Sequence, residues 1–324
     1  MTKDLLHLPD LIPATDRAFD VVAFGENSLD FVGRGPRPRE GADKTSLSAF
    51  DLYVGGQAST AAVCCARQGL RSRYLGVFGT DSWGTTVRDA LAREGVDVVA
   101  IERADARSRV ALVLVESESG DRRVFEFRDP HLAMDAASLP TADLVSGRIL
   151  MLDATDIAVS TAAARAARAA GVRTIVDVDR VVPNLAQLLA QIDVIVVPKV
   201  FLEEWTGKSG IGEALALIAD EFKAPATVVT LGPDGSLALA HGREVQTPGF
   251  VVDVADSTGA GDAFRGGLAS AWARLGDRAD LGRILDFSNA TAALNCSAVG
   301  AQTGLPGWDE VQRLVTTGPR HQSK

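Results

Sequence analysis

The chain has 324 residues, 46% of them apolar, enough to bury a substantial core in one large α/β body with or without a smaller appendage. Its formal charge of −9 argues against a nucleic-acid surface, because phosphate backbones reward clustered Lys and Arg. Three cysteines, two of them adjacent at Cys64 and Cys65, make neither a disulfide framework nor a CxxC metal knuckle, and nowhere do about 18 apolar residues run unbroken, so no membrane partner is expected.

Residues 1–18 carry prolines and no clear period, which predicts an extension wrapped on the surface or loose. They lack the basic start and sustained apolar segment of a signal peptide, so a cytoplasmic location is expected. Residues 19–25, a short apolar run closed by Gly25, predict a buried parallel strand that 29–32 prolong, before a turn-rich passage at 33–39. A small-residue helix over 60–68 ends at Gly69, followed by a strand over 73–78 and a helix over 82–94. The runs 109–115 and 122–128 flank Ser117-Glu-Ser-Gly-Asp121 and read as a hairpin.

After the hairpin the alternation becomes regular. Strands are expected at 149–152, 174–178, 194–197 and 227–231, with helices ending at Gly171 and spanning 185–191 and 212–222. A hairpin at 236–245, an apolar strand-like run at 249–254 and a closing helix complete the pattern. Such alternation predicts an α/β fold: a doubly wound, mostly parallel sheet flanked by helices. The segments that break it, about 30–60 and 98–130, predict a small β lid over the C-terminal edge of the sheet, where ligands of open α/β sheets bind. On this plan the main domain spans 19–316 and 317–324 form a tail.

The most informative stretch is Asp256-Ser-Thr-Gly-Ala-Gly-Asp-Ala-Phe264. Its two glycines, one residue apart, precede a run of helix formers, so backbone N–H groups bunch where a helix starts and make an anion site. Asp262 falls in the first turn, where a carboxylate either caps the helix or serves as a base beside bound phosphate. The stretch matches D-[ST]-T-G-A-G-D-A-F and resembles the C-terminal signature of the PfkB family of carbohydrate kinases, which have the ribokinase-like fold. That resemblance implies that Asp262 is the catalytic base and that the amides of Gly259, Ala260 and Gly261 form an anion hole.

Other segments carry the same resemblance. Gly55-Gly-Gln-Ala-Ser-Thr-Ala-Ala62, with Gly76-Val-Phe-Gly-Thr-Asp81 and Gly84, is similar to the family's sugar-cradling motif. It implies acceptor contacts at Gly55, Gly56 and Thr60, with Asp30 and Asn27 accepting and donating to sugar hydroxyls. Read without the family, these are a turn and polar residues at a strand end. Thr230-Leu-Gly-Pro-Asp-Gly-Ser236 resembles the turn lining the ATP cleft. Thr230, Gly232 and Gly235 are then nucleotide contacts, together with Thr258, Gly259 and Gly261 and with Asn289 and Ala293 on the helix that packs the adenine. The carbonyls of Asp256, Thr258, Gly300 and Thr303 stand where relatives hold a monovalent cation such as K⁺.

The implied activity is transfer of the γ-phosphoryl group of ATP, with Mg²⁺, to a hydroxyl of a small carbohydrate, a primary CH₂OH of a ketose or sugar acid. The chain departs from the family pattern in three places: Thr60 replaces the usual Asn, Val197-Pro-Lys-Val-Phe-Leu-Glu203 replaces N-x-x-E, and Asp177-Val-Asp-Arg180 replaces D-x-N-x-R. Lys44, Arg109 and Arg128 either meet an anionic acceptor or are solvated charges. The alternatives are a nucleoside kinase of the same family and a catalytically dead sugar-binding protein. The family also implies a homodimer through the lid. The four histidines lack metal-ligand spacing, and neither a GxSxG elbow nor a Walker P-loop occurs.

Overall fold

A computed structural model of the chain describes residues 6–37, 43–118, 122–276 and 280–321. In chain order these form β1 (Val21–Phe24), β2 (Ser28–Gly35), β3 (Ala49–Gly55), α1 (Gln57–Arg67), β4 (Ser72–Gly79), α2 (Ser82–Arg93), β5 (Asp97–Arg103), β6 (Val110–Glu116) and β7 (Arg122–Phe127). There follow α3 (Thr141–Leu144), β8 (Ile149–Asp153), α4 (Ile157–Ala169), β9 (Arg173–Asp177), α5 (Leu185–Leu189), β10 (Val194–Pro198), α6 (Lys199–Thr206) and α7 (Ile211–Phe222). The chain closes with β11 (Ala226–Thr230), β12 (Ser236–Ala240), β13 (Arg243–Thr247), α8 (Ala260–Leu275), α9 (Leu281–Asn295) and α10 (Trp308–Thr317).

Nine strands pair in the order β13-β12-β11-β10-β9-β8-β1-β4-β5, parallel from β11 to β5, with β12 and β13 antiparallel at one edge. The central strands β1 and β8 are unbroken apolar runs ending in Phe24 and Asp153, buried throughout because helices cover both faces. Residues of α1, α2, α8, α9 and α10 pack into one core, and those of α3 to α7 into the other. This is the doubly wound, mostly parallel sheet that the alternation predicted. The chain leaves β1 for β4 and β5 on one side and returns to β8 on the other, so the crevice opens beyond the ends of β1 and β8.

A second sheet, in the order β3-β2-β6-β7, turns one face toward that crevice. Val32, Ala111 and Val113 are buried on this face, with Tyr53 and Val115 packed against them. The opposite face leaves Phe50, Leu52, Leu112, Phe125 and Phe127 exposed.

Several expectations change. Residues 29–32 do not prolong β1: the chain turns at Gly25 to Asn27 and Ser28–Gly35 joins the small sheet, taking Gly33 and Gly35 out of the expected turn. Pro38 and Arg39 lie outside the described residues. The first part of 98–130 belongs to the main sheet, where β5 pairs in parallel with β4. The apolar run 249–254 is not a strand: its one bridge joins Phe250 to Arg320, and its apolar side chains wall a cavity instead.

The chain ends are also anchored. Leu6 and Leu8 are buried in the main core, and the Leu6 carbonyl accepts the Leu281 N–H at 2.7 Å. At the other end, His321 N–H donates to Gly249 O at 3.0 Å and Arg320 pairs with Asp286 at 2.6 Å.

Candidate active site

The geometry is set by how α8 begins. Gly259 has φ +75°, and a Cβ there would meet the Ala301 carbonyl at 2.6 Å, so a side chain at this position meets both strain and a clash. The preceding turn is braced from within. One Asp256 oxygen accepts from the Thr258 N–H at 2.9 Å and hydroxyl at 2.8 Å, while the other accepts from the Gly300 N–H at 2.9 Å. Buried Asn295 donates its amide to the Thr258 carbonyl at 3.2 Å. The first-turn amides of α8 thus emerge from a turn fixed to the loop after α9, with no acceptor inside the helix. The Ala260 N–H leans back on the Ser257 carbonyl at 3.3 Å.

Two cavities meet at this turn. The first, about 350 Å³, is lined by Glu26, Asp30, Gly56, Gln57 and Arg109, and by Thr258, Gly259 and Asp262. The second, about 450 Å³ and mainly apolar, is lined by Thr230, Gly232, Gly235, Phe250, Asn289 and Ala293, and by Ala260 and Gly261. Successive residues of one helical turn therefore face opposite sides. The structure brings the candidate acceptor contacts Asp30 and Gly56 to Asp262, and most of the candidate nucleotide contacts to the other side. Thr258 and Gly259 border the first cavity rather than the nucleotide cleft.

Asp262 sits at the junction with its side chain 14% exposed. Desolvation pushes its carboxyl well above the usual carboxylate range, Arg265 opposes the shift, and Asp177, Asp153 and Glu26 add to it. Asp30 is also raised by burial, against the hydroxyl of Ser28, which donates to it at 2.7 Å. Gly55 lies where any Cβ would strike the Asp30 carboxylate. That explains a glycine at the end of β3 opposite Ser28.

Several expected contacts are absent from the first cavity. Thr60 is buried away from it, its hydroxyl accepting from the Gln302 side chain at 3.2 Å. The shorter side chain in place of Asn thus ties α1 to the turn between α9 and α10. Asn27 gives its amide to the Tyr74 hydroxyl at 2.9 Å and the Val77 carbonyl at 3.1 Å, and borders a separate side pocket of about 60 Å³. Arg128 borders that pocket too, donating to the Thr155 carbonyl at 3.3 Å, and Lys44 is exposed outside all three cavities. Arg109 does line the first cavity, but it is committed to Glu26 at 2.8 Å and Glu126 at 2.7 Å. Asp81 of the second motif caps α2, accepting the Gly84 N–H at 2.8 Å.

Two of the four candidate cation carbonyls already carry hydrogen bonds. The Thr258 carbonyl accepts from the Asn295 amide at 3.2 Å, and the Thr303 carbonyl faces the Arg67 guanidinium at 3.4 Å. Among the described residues there is no cluster of three His, Cys, Asp or Glu able to hold a metal ion.

Sequence reasoning passed over Glu26, Gln57, Asp153 and Arg265, and the apolar wall of Phe250 and Val252 in the second cavity. The signal for Arg265 was present. A lone cation between Ala263-Phe264 and Gly266-Gly267, in a stretch otherwise free of charge, has to find buried partners.

The sequence profile described as pfkB family carbohydrate kinase matches residues 18–308. Fructokinase from Escherichia coli is 29% identical over 282 residues, covering 80% of this chain and 90% of that protein. Aminoimidazole riboside kinase from Salmonella typhimurium is also 29% identical, over 284 residues, covering 81% and 88%. The solved structure of Arabidopsis thaliana ribokinase complexed with ribose and ATP superposes with a TM-score of 0.78 at 24% identity, over 93% of this chain and 99% of that one. No helix among the described residues is long and apolar enough to cross a membrane.

Proposed function

The chain belongs to the pfkB family of carbohydrate kinases, phosphotransferases that act on an alcohol group, and from that premise we propose that it moves the γ-phosphoryl group of ATP to a hydroxyl of a small carbohydrate. The observation that carries this reading is the division at α8. Asp262 and Gly259 border the polar cavity, while Ala260 and Gly261 border the apolar cleft. A triphosphate entering from the apolar side then meets an alcohol held on the polar side, across one turn of peptide N–H groups.

In the reaction, the acceptor hydroxyl lies against Asp262, which takes its proton as the new O–P bond forms and the β–γ bridging bond breaks, releasing ADP. The Gly259, Ala260 and Gly261 amides stabilise charge spreading over the transferring oxygens. Asp30, Gly56 and Gln57 orient the sugar, and the small sheet, whose inner face bears Asp30 and Glu126, excludes water that would compete as acceptor. Mg²⁺ on the nucleotide would neutralise phosphate charge. Asp179 on the cavity wall would serve as a protein contact for an ion that otherwise keeps phosphate and water as ligands.

The cavity's charge narrows the acceptor. The only two cations lining the cavity are already partnered: Arg109 by Glu26 and Glu126, and Arg180 by Asp179 at 3.6 Å. This balance favours an uncharged polyol over a sugar acid. The likeness to aminoimidazole riboside kinase keeps a riboside acceptor as the second reading. Screening ketoses, aldoses, sugar acids and nucleosides for ATP-dependent phosphorylation separates them, and turnover of nucleosides alone would reverse the choice. We propose also that the exposed apolar face of the small sheet pairs with a second copy of the chain, in line with its five exposed large side chains, Phe50, Leu52, Leu112, Phe125 and Phe127.

A further inference from the structure

Arg265 is fully buried, with 0% of its side chain exposed. From the second turn of α8 it reaches four other places at once. Nη2 donates to the Gln57 carbonyl at 2.8 Å and to the Asp262 carboxylate at 3.2 Å; Nη1 donates to the Leu152 carbonyl at 3.3 Å and lies 3.6 Å from the Asp177 carboxylate. The guanidinium therefore ties α8 to the start of α1, the end of β8 and the end of β9. Its planar fork suits several acceptors in fixed directions, which an ammonium group cannot match. A buried cation is retained only where carboxylates compensate it, and here the compensating groups include the residue placed at the phosphoryl-transfer step.

We propose that Arg265 is the positioning residue for Asp262, aiming its carboxylate at the acceptor cavity, with Asp177 as the competitor that takes part of the same guanidinium. This inference rests on the role assigned to Asp262 above. The charged and titratable groups facing Asp262 are Arg265 on its own helix, Asp177 and Asp153 at the ends of β9 and β8, Glu26 beyond β1, and Cys64 on α1. Asp177, Asp153 and Glu26 disfavour the carboxylate, and Arg265 alone favours it. Removing the one cation must therefore raise the pH at which Asp262 ionises, and removing Asp177 must lower it.

The test is an infrared titration of the whole protein, following the protonated-carboxyl band of Asp262 identified by its loss in Asp262→Asn. Arg265→Gln should move the midpoint upward by at least about one pH unit, a tenfold gain in proton affinity, and Arg265→Lys should restore part of the shift. Asp177→Asn, which keeps the buried cation, should move it downward and carries the test if Arg265→Gln does not fold. Where an acceptor is turned over, the acidic limb of kcat/KM should shift in step. A midpoint unchanged in Asp177→Asn, or unchanged in folded Arg265→Gln, overturns the proposal. The titration reads Asp262 directly, so absence of every kinase acceptor would count against the proposed function and leave this result legible.

Discussion

Glu26 donates its backbone N–H to the Asp153 carboxylate at 2.6 Å, joining the ends of β1 and β8 where the chain changes sides of the sheet. The same residue turns its side chain onto Arg109 and borders both the acceptor cavity and the side pocket. The site is thus hung on the topological reversal itself, and the fold delivers carboxylates there from three strand ends: Glu26, Asp153 and Asp177.

Burial pushes the Glu26 carboxyl from 4.5 up to about 8, with Arg109 opposing and Asp153 and Glu126 adding. Between those values the folded chain holds a proton that the unfolded chain has released, so stability falls as pH rises through that window. Glu26→Gln has no proton to lose. The stability of the parent relative to this variant should decline by about 2–4 kcal/mol between roughly pH 5 and 9, read from urea midpoints. A flat difference contradicts the assignment.

The base itself has a pH signature. Because burial raises Asp262, kcat/KM should fall on the acidic side at a pH above that of an exposed aspartate, and the limb should vanish from any residual activity of Asp262→Glu only if another group takes over. An activity flat down to the ordinary aspartate range would count against Asp262 as base.

The charge balance of the acceptor cavity predicts discrimination between a neutral sugar and its acid. KM for the acid should be higher, and Glu126→Gln, which frees Arg109 from one partner, should narrow the gap severalfold. Steady-state kinetics on the matched pair decides it. A parent enzyme that prefers the acid would sink the charge argument.

The N-terminal anchor can be weighed by stability alone. Leu8 is buried, so Leu8→Ala should cost about 2–4 kcal/mol in chemical unfolding. A change below about 0.5 kcal/mol would mean that the segment contributes no core.

Self-association is tested at Phe125, which is 56% exposed on the outer face of the small sheet. Phe125→Asp should convert a dimer to a monomer in sedimentation velocity. A parent protein that sediments as a monomer at all concentrations removes the second copy from that face.

How much of this was legible in the sequence depended on the kind of signal. The turn at 256–261 was readable because a helix start with closely spaced glycines has few physical meanings, and the buried strands because apolar runs such as Ile149 to Leu152 fit the centre of a parallel sheet. Residues 249–254 misled for the same reason: apolarity records burial against a cavity as readily as against a sheet. β5 is a half-buried edge strand beside a clear hairpin signal, so its allegiance to β4 could be settled only by pairing. Arg109 reaches the acceptor cavity while Thr60 and Asn27 do not, and all three spend their polar atoms elsewhere: on Gln302, Tyr74 and the two glutamates. Such partner choice is set by tertiary contacts far apart in the chain, which local pattern does not encode.

The most direct measurement is ADP formation from MgATP across a panel of ketoses, aldoses, sugar acids and nucleosides, run with the parent chain and Asp262→Asn, with ATP affinity measured in parallel. The account predicts ADP release that depends on an uncharged polyol acceptor, falls by about 10²–10⁴-fold in Asp262→Asn, and leaves ATP binding intact. No turnover with any alcohol, or full turnover in Asp262→Asn, would contradict it.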